Sequence, residues 1–177
     1  MKNNLLKFRI IFLGVMLACI IFLGFLYHNS DIGVQGFMLE EDIRSSQRVK
    51  DTWIMEGDIS DTMAAYISFS KDKSDYIYSV YVKHPGLSFG YFFRSGGSIN
   101  AIEEAIAECM VEGNNERAFI SMNRQKAERL EMDDNNSIQV IDIDSDKPFA
   151  IVLPADSGAI TFYDADGNTV DFWECPL

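Results

Sequence analysis

The pattern of apolar and polar positions divides the chain near residue 28. Residues 10–26 form an unbroken apolar run, with Tyr27 directly after it. With its aromatic flanks, this run reaches the roughly 20 residues that cross the hydrocarbon core of a bilayer. It therefore predicts one transmembrane signal anchor at residues 10–27. The anchoring side chains include Ile10, Phe12, Leu17, Ile21 and Leu26.

Charges around the run predict its orientation. Residues 1–9 contain three basic residues, and the next one along the chain is Arg44. Because basic residues favour the cytoplasmic side, we expect a cytoplasmic tail at residues 1–9 and an extracellular C-terminal part, in a single-pass protein of the cell membrane. Cleavage of the segment, or lipidation at Cys19, is the alternative to a retained anchor.

Beyond a polar tether at residues 28–36, alternating apolar and polar positions predominate. This period of two is typical of β-strands. We predict strands at 63–70, 75–83, 87–94, 118–122, 126–132, 137–143, 149–153, 160–163 and 170–173.

One segment follows a helical period instead. Ile99, Ile102, Ile106 and Cys109 recur at spacings of three and four residues, which predicts an amphipathic helix. Strands, then a helix, then strands with short connections indicate an α+β domain. We therefore expect an extracytoplasmic domain at residues 37–177, built on a mainly antiparallel β-sheet with this one packed helix.

Composition makes the outer part strongly acidic. The residues after position 28 include 27 acidic and 12 basic side chains, a net charge of −15. This sign disfavours nucleic acid as a partner. It suits a basic protein partner, although acidity also keeps exported domains soluble.

A pattern associated with hydrolases occurs at residues 86–90, which read G-x-S-x-G. A nucleophilic serine in this motif needs a helix after it and, in the α/β-hydrolase order, a later histidine. Strand-like sequence follows instead, and both His28 and His84 come earlier. The glycines indicate a bulge or the close approach of another backbone. We expect no enzyme and no cofactor, and an anchored enzyme of unknown type is the alternative.

Three aspartates form a D-x-D-x-D pattern that resembles the start of a calcium loop. Lys147 stands where an EF-hand loop needs glycine, which argues against a metal site. We expect these side chains to lie in a solvated turn or on an exposed strand edge, where they would attract a basic partner. They are Asp142, Asp144 and Asp146.

Tyrosines on the candidate strands are the other predicted partner contacts. Alternation sends neighbouring side chains to opposite faces, so some rings would face water, where tyrosine favours protein contacts. The alternative is that these rings pack in the core. The candidates are Tyr78, Tyr81 and Tyr91.

Two cysteines lie in the outer part, Cys109 and Cys175. An oxidising exterior permits a disulfide between them. The alternative is a pair of buried thiols.

Several segments resemble those of the TipC family of immunity proteins. They are GLSFGYFFRSGGS (86–98), AFISMN (118–123), KPFAIVLP (147–154) and ITFYDADGN (160–168). Proteins of that family occur in Gram-positive bacteria beside toxins exported by the type VII secretion system. The resemblance implies a membrane-tethered, outward-facing protein for bacterial competition. It would bind, through its sheet surface, a toxin that attacks lipid-linked cell-wall precursor, and so block the toxin's active site.

An alternative resemblance involves the C-terminal hairpin. The segment ITFYDADGNTVDF (160–172) is similar to the terminal strands of small exported PepSY-like domains. That resemblance implies an anchored sensory or protease-inhibitory module.

Overall fold

In a computed structural model, the chain forms an α+β domain dominated by antiparallel sheets. The structure describes residues 2–28, 32–85, 89–133 and 137–177, without the side chains of 2–8, 10, 26–28 and 176. The helices are α1 (Lys2–His28), α2 (Leu39–Ser46) and α3 (Asn100–Glu104), with a short 3-10 turn at Gly36–Met38. Within the described residues, no helix is both long enough and apolar enough to cross a membrane.

Twelve strands are described. They are β1 (Ile54–Ile59), β2 (Met63–Phe69), β3 (Tyr76–Val82), β4 (Phe92–Gly97), β5 (Ile106–Met110), β6 (Glu116–Ser121), β7 (Ala127–Asp133), β8 (Ile138–Asp142), β9 (Phe149–Pro154), β10 (Ala159–Asp164), β11 (Thr169–Val170) and β12 (Phe172–Pro176).

These strands form three four-stranded sheets. Sheet I has the order β1-β2-β3-β4, sheet II the order β12-β5-β6-β9, and sheet III the order β11-β10-β7-β8. Among the described strands, β5 and β12 are the one parallel pair, and the others pair antiparallel. The prediction of a mainly antiparallel α+β domain is thus confirmed.

Sheet II is the central layer, with a separate hydrophobic core on each of its faces. Adjacent residues of β6 show this, since Ile120 packs toward sheet I and Phe119 toward sheet III, both fully buried. Strands that are buried on both faces read as nearly continuous apolar runs, and β5 has four successive buried residues. The three layers leave one face of sheet I and one face of sheet III on the outside.

The prediction of one amphipathic helix through Ile99, Ile102, Ile106 and Cys109 is wrong. Only the five residues of α3 are helical, and β5 follows directly. Ile106 packs toward sheet III and Cys109 toward sheet I, as expected of a strand that is buried on both faces. When both faces of a strand are apolar, some of its residues lie three or four positions apart, as in a helix. The sequence was misinterpreted as helical for this reason.

Helix α2 covers the outside of sheet I. Leu39 and Ile43 are fully buried against Tyr66 and Tyr81 on the outer face of sheet I. Part of the predicted tether also belongs to the domain. Residues 32–34 pair with residues 89–91 through backbone hydrogen bonds of 2.6 to 2.8 Å.

Candidate functional site

The outer face of sheet III is a sheet surface that the described chain leaves uncovered. Its side chains come from alternate positions of β7, β8 and β10, whose register aligns them in rows across the face. The opposite face of the same strands carries Leu130, Met132, Phe162 and Ile141 in the core. The outward positions are Arg129, Glu131, Asp133, Ile138, Val140, Asp142, Thr161 and Tyr163.

An arginine held over a tyrosine occupies one row of this face. The guanidinium carbon of Arg129 lies 4.5 Å from the ring centroid of Tyr163. Its Nε donates a 3.0 Å hydrogen bond to Glu131 Oε1. These contacts fix the planar group in one orientation, which lowers the entropy lost when a partner binds it. Tyrosine and arginine are also enriched among residues that dominate protein–protein binding energy.

Two apolar side chains lie beside this pair on β8. Ile138 is 63% exposed and Val140 is 54% exposed. Both belong to a strand with few buried positions, since only Ile141 is partly covered. Exposed apolar residues next to an ordered arginine and tyrosine are typical of a surface that binds a protein.

The three predicted aspartates are exposed, but their surroundings differ. Asp142 pairs in register with Arg129 on the outer face of sheet III. Asp144 and Asp146 follow in the next turn, where each carboxylate contacts a lysine, Lys147 and Lys126 respectively. The sequence therefore placed all three in the exposed region, yet only Asp142 lies on the sheet face.

The pKa values of the turn aspartates reflect these contacts. The pKa of Asp144 is lowered mainly by a 3.0 Å hydrogen bond from the backbone N–H of Asp146, and then by Lys147. The pKa of Asp146 is lowered mainly by its hydrogen bond from Lys126. Both carboxylates are therefore charged at neutral pH, with much of that charge offset by a neighbouring lysine.

A shallow cleft of about 250 Å³ adjoins this end of β8. Its lining includes Glu56 and Gly57 of β1, together with Asp142, Asp144 and Lys147. Within the described part of the chain, no group of three or more histidine, cysteine, aspartate or glutamate residues is arranged to hold a metal ion. The cleft therefore lies where the end of β8 approaches β9 of sheet II and β1 of sheet I.

Tyr78, Tyr81 and Tyr91, the candidate partner contacts, do not face water, since each is at most 6% exposed. The alternative, that these rings pack in the core, is the one that holds. Tyr78 lies between sheets I and II, with its hydroxyl 2.8 Å from Ser95 Oγ. Tyr81 packs beneath α2 and donates a 2.6 Å hydrogen bond to Asp42 Oδ2. The other face of sheet I is covered by α2 and the segments around it, which the sequence pattern does not indicate.

Tyr91 packs in the same cluster as Tyr81, on the outer face of sheet I. Tyr91 donates its hydroxyl hydrogen to the carbonyl of Ser60 at 2.5 Å. Burial raises the pKa of Tyr91, as it does those of Tyr78 and Tyr81. All three rings therefore stabilise the domain, and none is placed to contact a partner.

Part of the G-x-S-x-G motif, residues 86–88, lies outside the described residues. Gly90 has a φ of +88°, and a Cβ there would lie 2.6 Å from the carbonyl oxygen of Val34. The prediction that a glycine of this motif marks the close approach of another backbone is confirmed at Gly90.

Cys109 and Cys175 occupy directly paired positions of β5 and β12. Both are free thiols, with Cys109 fully buried and Cys175 half-buried. The sequence thus identified two residues that the fold brings together, and the structure has them in the unbridged form.

Three of the predicted anchor residues are described and exposed along α1: Phe12, Leu17 and Ile21. The side chains of Ile10 and Leu26 lie outside the described residues.

Sequence reasoning missed Arg129, Glu131, Ile138, Val140 and Tyr163 as candidate binding residues. The sequence did hold one signal: Ile138, Val140 and Asp142 are two residues apart, so they lie on the same face of a strand. Comparison with known proteins gives no guide to this site, because no family model, curated protein or solved structure matches the chain.

Proposed function

We propose that this protein is a membrane-anchored, extracellular immunity protein. It neutralises a cognate exported antibacterial toxin by binding it through the outer face of sheet III. The observation that carries the proposal is the ordered Arg129–Tyr163 pair beside exposed Ile138 and Val140. Such a surface supplies an aromatic and arginine anchor, apolar area and a polar rim, which are the components of a protein-binding site.

Helix α1 supports the anchored part of the proposal. Every residue from Ile11 to Phe25 is exposed, and this stretch is apolar on all sides. A helix of that kind is stable when it is buried in a large core or in a bilayer. The described stretch at residues 11–25 is too short to span a bilayer by itself, so the proposal adds the flanking residues of the apolar run in the sequence. Residues 10–27 would then insert in the membrane, with the basic residues of positions 1–9 on the cytoplasmic side.

Tethering would make a binding protein more effective against a toxin that acts at the membrane. The resemblance to TipC proteins implies that the target is a toxin that attacks lipid-linked cell-wall precursor. An inhibitor on the same membrane is concentrated where the toxin meets its substrate, without any new contact. The net charge of −15 after residue 28 would accelerate capture of a basic toxin.

Protection of living cells tests the binding function. If a neighbouring gene encodes a large exported protein, cells would be exposed to that protein, with and without the full-length immunity protein. We expect wild-type protein to restore growth and the double variant Arg129→Glu, Val140→Arg to lose protection. Trp173→Arg is the matched control, because Trp173 is also exposed but lies on sheet II.

Failure of the wild-type protein to protect cells, together with failure to co-purify with the toxin, would refute the immunity function. Equal loss of protection in the Trp173 control would refute only the assignment to sheet III.

Orientation requires a separate experiment. A membrane-impermeant amine reagent on intact cells should label the lysines of the domain but not Lys2 and Lys7. Labelling of the domain only after the cells are lysed would show that it faces the cytoplasm, and the proposal would be wrong.

A further inference from the structure

Strand β8 is an edge strand of sheet III, and some of its N–H and C=O groups point away from the sheet. In the order β11-β10-β7-β8, strand β7 is its one neighbour among the described strands. Directly after β8, the N–H of Ile143 donates to the carbonyl of Glu128 at 2.7 Å. By the register of β7 and β8, Ile141 and then Gln139 occupy the next hydrogen-bonded positions. Because such pairs alternate along antiparallel strands, the backbone groups of residues 138, 140 and 142 point away from β7.

This edge could accept another strand over most of its length. Each of the three outward residues supplies one N–H and one C=O. Edges of this kind are commonly protected by lysine, proline or a covering element. The sequence of β8, IQVID, contains neither lysine nor proline.

Side chains on the same edge favour a partner that is both apolar and basic. Ile138 and Val140 are more than half exposed. Across the outer face they lie opposite Asp133 and Glu131, and Asp142 ends the strand. Arg129 and Glu131 offset each other's charge, so the preference for a basic partner rests on exposed Asp142 and on the net charge of −15 after residue 28.

The same charges argue against a second copy of this chain as the occupant. Two copies paired through β8 would bring together domains that each carry a net charge of −15. Such like-charged surfaces repel one another, most strongly at low salt. An extended segment with basic side chains fits the charge and the backbone of the edge.

We propose that β8 binds an extended, basic segment of the toxin as an additional strand of sheet III. The inference rests on the proposed immunity function. Main-chain hydrogen bonds would supply part of the affinity, while alternate side chains of the segment would contact Ile138 and Val140.

Proline substitution tests the backbone contact directly. Val140→Pro removes an N–H that points away from β7, and proline is tolerated at such edge positions. The full-length variant should keep its thermal stability and bind the toxin about tenfold more weakly, or worse. Val140→Ala, which keeps the N–H, should lose less affinity than Val140→Pro.

Lys71→Pro is a control for proline itself. Lys71 follows Ser70 in an exposed turn whose Lys73 N–H donates to the Ser70 carbonyl, and proline suits this position. It should bind the toxin as the wild-type protein does.

Amide hydrogen exchange provides a second readout that does not depend on the folding of a variant. In the wild-type complex, exchange at the amides of residues 138, 140 and 142 should slow at least tenfold relative to the free protein. The proposal is refuted if these amides are unchanged, or if Val140→Pro folds and binds normally, and the immunity function then still stands. If the wild-type protein fails to bind the toxin at all, both proposals are wrong.

Discussion

Glu108 of β5 and Arg117 of β6 form an ion pair inside the sheet stack. The Nη1 atom of Arg117 donates a 2.8 Å hydrogen bond to Glu108 Oε1, and the Glu108 side chain is only 4% exposed. Arg117 also reaches Ser157 and the carbonyl of Gly158 with its other terminal nitrogen. The pair therefore connects sheet II to the turn that leads into sheet III.

Removing the acid should be strongly destabilising. Glu108→Ala leaves the Arg117 side chain, which is 14% exposed, without its counter-charge; for a fully buried charge this costs about 3–5 kcal/mol of unfolding free energy, and we expect a loss near the lower end. Chemical denaturation followed by fluorescence would measure the loss. The control is Glu103→Ala, since the Glu103–Arg124 pair is about 40% exposed and should contribute less than about 1 kcal/mol. Equal losses of unfolding free energy in the two variants would show that burial does not make the Glu108–Arg117 pair more important than the exposed one.

Gly57 provides space for an aromatic ring on the neighbouring strand. It pairs directly with Tyr66, and a Cβ at residue 57 would lie 2.2 Å from Tyr66 Cδ1. We expect Gly57→Ala to lower the unfolding free energy by about 1–3 kcal/mol, since the ring must leave its packed position. At Gly36 the same substitution makes an ordinary contact of 3.6 Å with Tyr91, so Gly36→Ala should be nearly neutral. A neutral Gly57→Ala would show that the ring moves without cost.

The strands were predictable because their local pattern is strong. Segments 63–70, 75–83 and 149–153 overlap β2, β3 and β9 closely, since β-branched and aromatic residues fill them. The division into three stacked sheets was not predictable in the same way. It depends on which strands pair over long separations, and alternation within one strand carries no information on its partner.

The candidate site was predictable only in part, for a related reason. Asp142 was identified because closely spaced aspartates are seldom buried. Tyr81 was misplaced because its burial depends on α2, which packs over it from nearly 40 positions earlier in the chain. Alternation assigns Tyr81 to one face of β3 but cannot say whether another element covers that face.

Charge reversal should separate Asp142 from the two turn aspartates. We expect Asp142→Lys to slow association with a basic toxin severalfold at low salt, and much less at high salt, because screening weakens steering. Asp146→Lys should have a smaller effect, since Lys126 already offsets that charge. Stopped-flow association rates over a salt series would measure both. Equal effects at low and high salt would remove the electrostatic part of the recognition.

The two paired cysteines should form a disulfide under oxidising conditions. Neighbouring strands lie about 4.8 Å apart, within the roughly 4.4–6.8 Å between Cα atoms that a disulfide accepts. Closing the loop from Cys109 to Cys175 should raise the unfolding free energy by about 4 kcal/mol. Incubation with oxidised glutathione, followed by mass spectrometry, should show the loss of two hydrogens. Cys175→Ser is the control, and a stable glutathione adduct on Cys109 or Cys175 of the wild-type protein would contradict the prediction; an adduct on exposed Cys19 would not.

Alkaline pH should destabilise the domain through two buried acids. Burial raises the pKa of Cys109 from 9.0 to about 12, with Cys175 adding to the shift. Burial, reinforced by Glu40, also raises the pKa of Tyr66 from 10.0 to about 12. The folded state therefore keeps both protons over a pH range in which the unfolded chain releases them. Their contribution to stability is complete below about pH 9 and is lost as the pH rises toward 12, with a slope of up to about 1.4 kcal/mol per pH unit for each group.

Unfolding free energies measured between about pH 8 and pH 11 would test this dependence. Tyr66→Phe removes one ionisable group, so its curve should decline less steeply above pH 10, and Cys109→Ala should flatten the decline that begins near pH 9. Both variants are compared with wild-type protein for the change with pH rather than for absolute stability, because each also alters packing. Curves parallel to that of the wild-type protein would mean that these two groups titrate alike in the folded and unfolded chain. Their burial would then have no role in the alkaline limit of the fold.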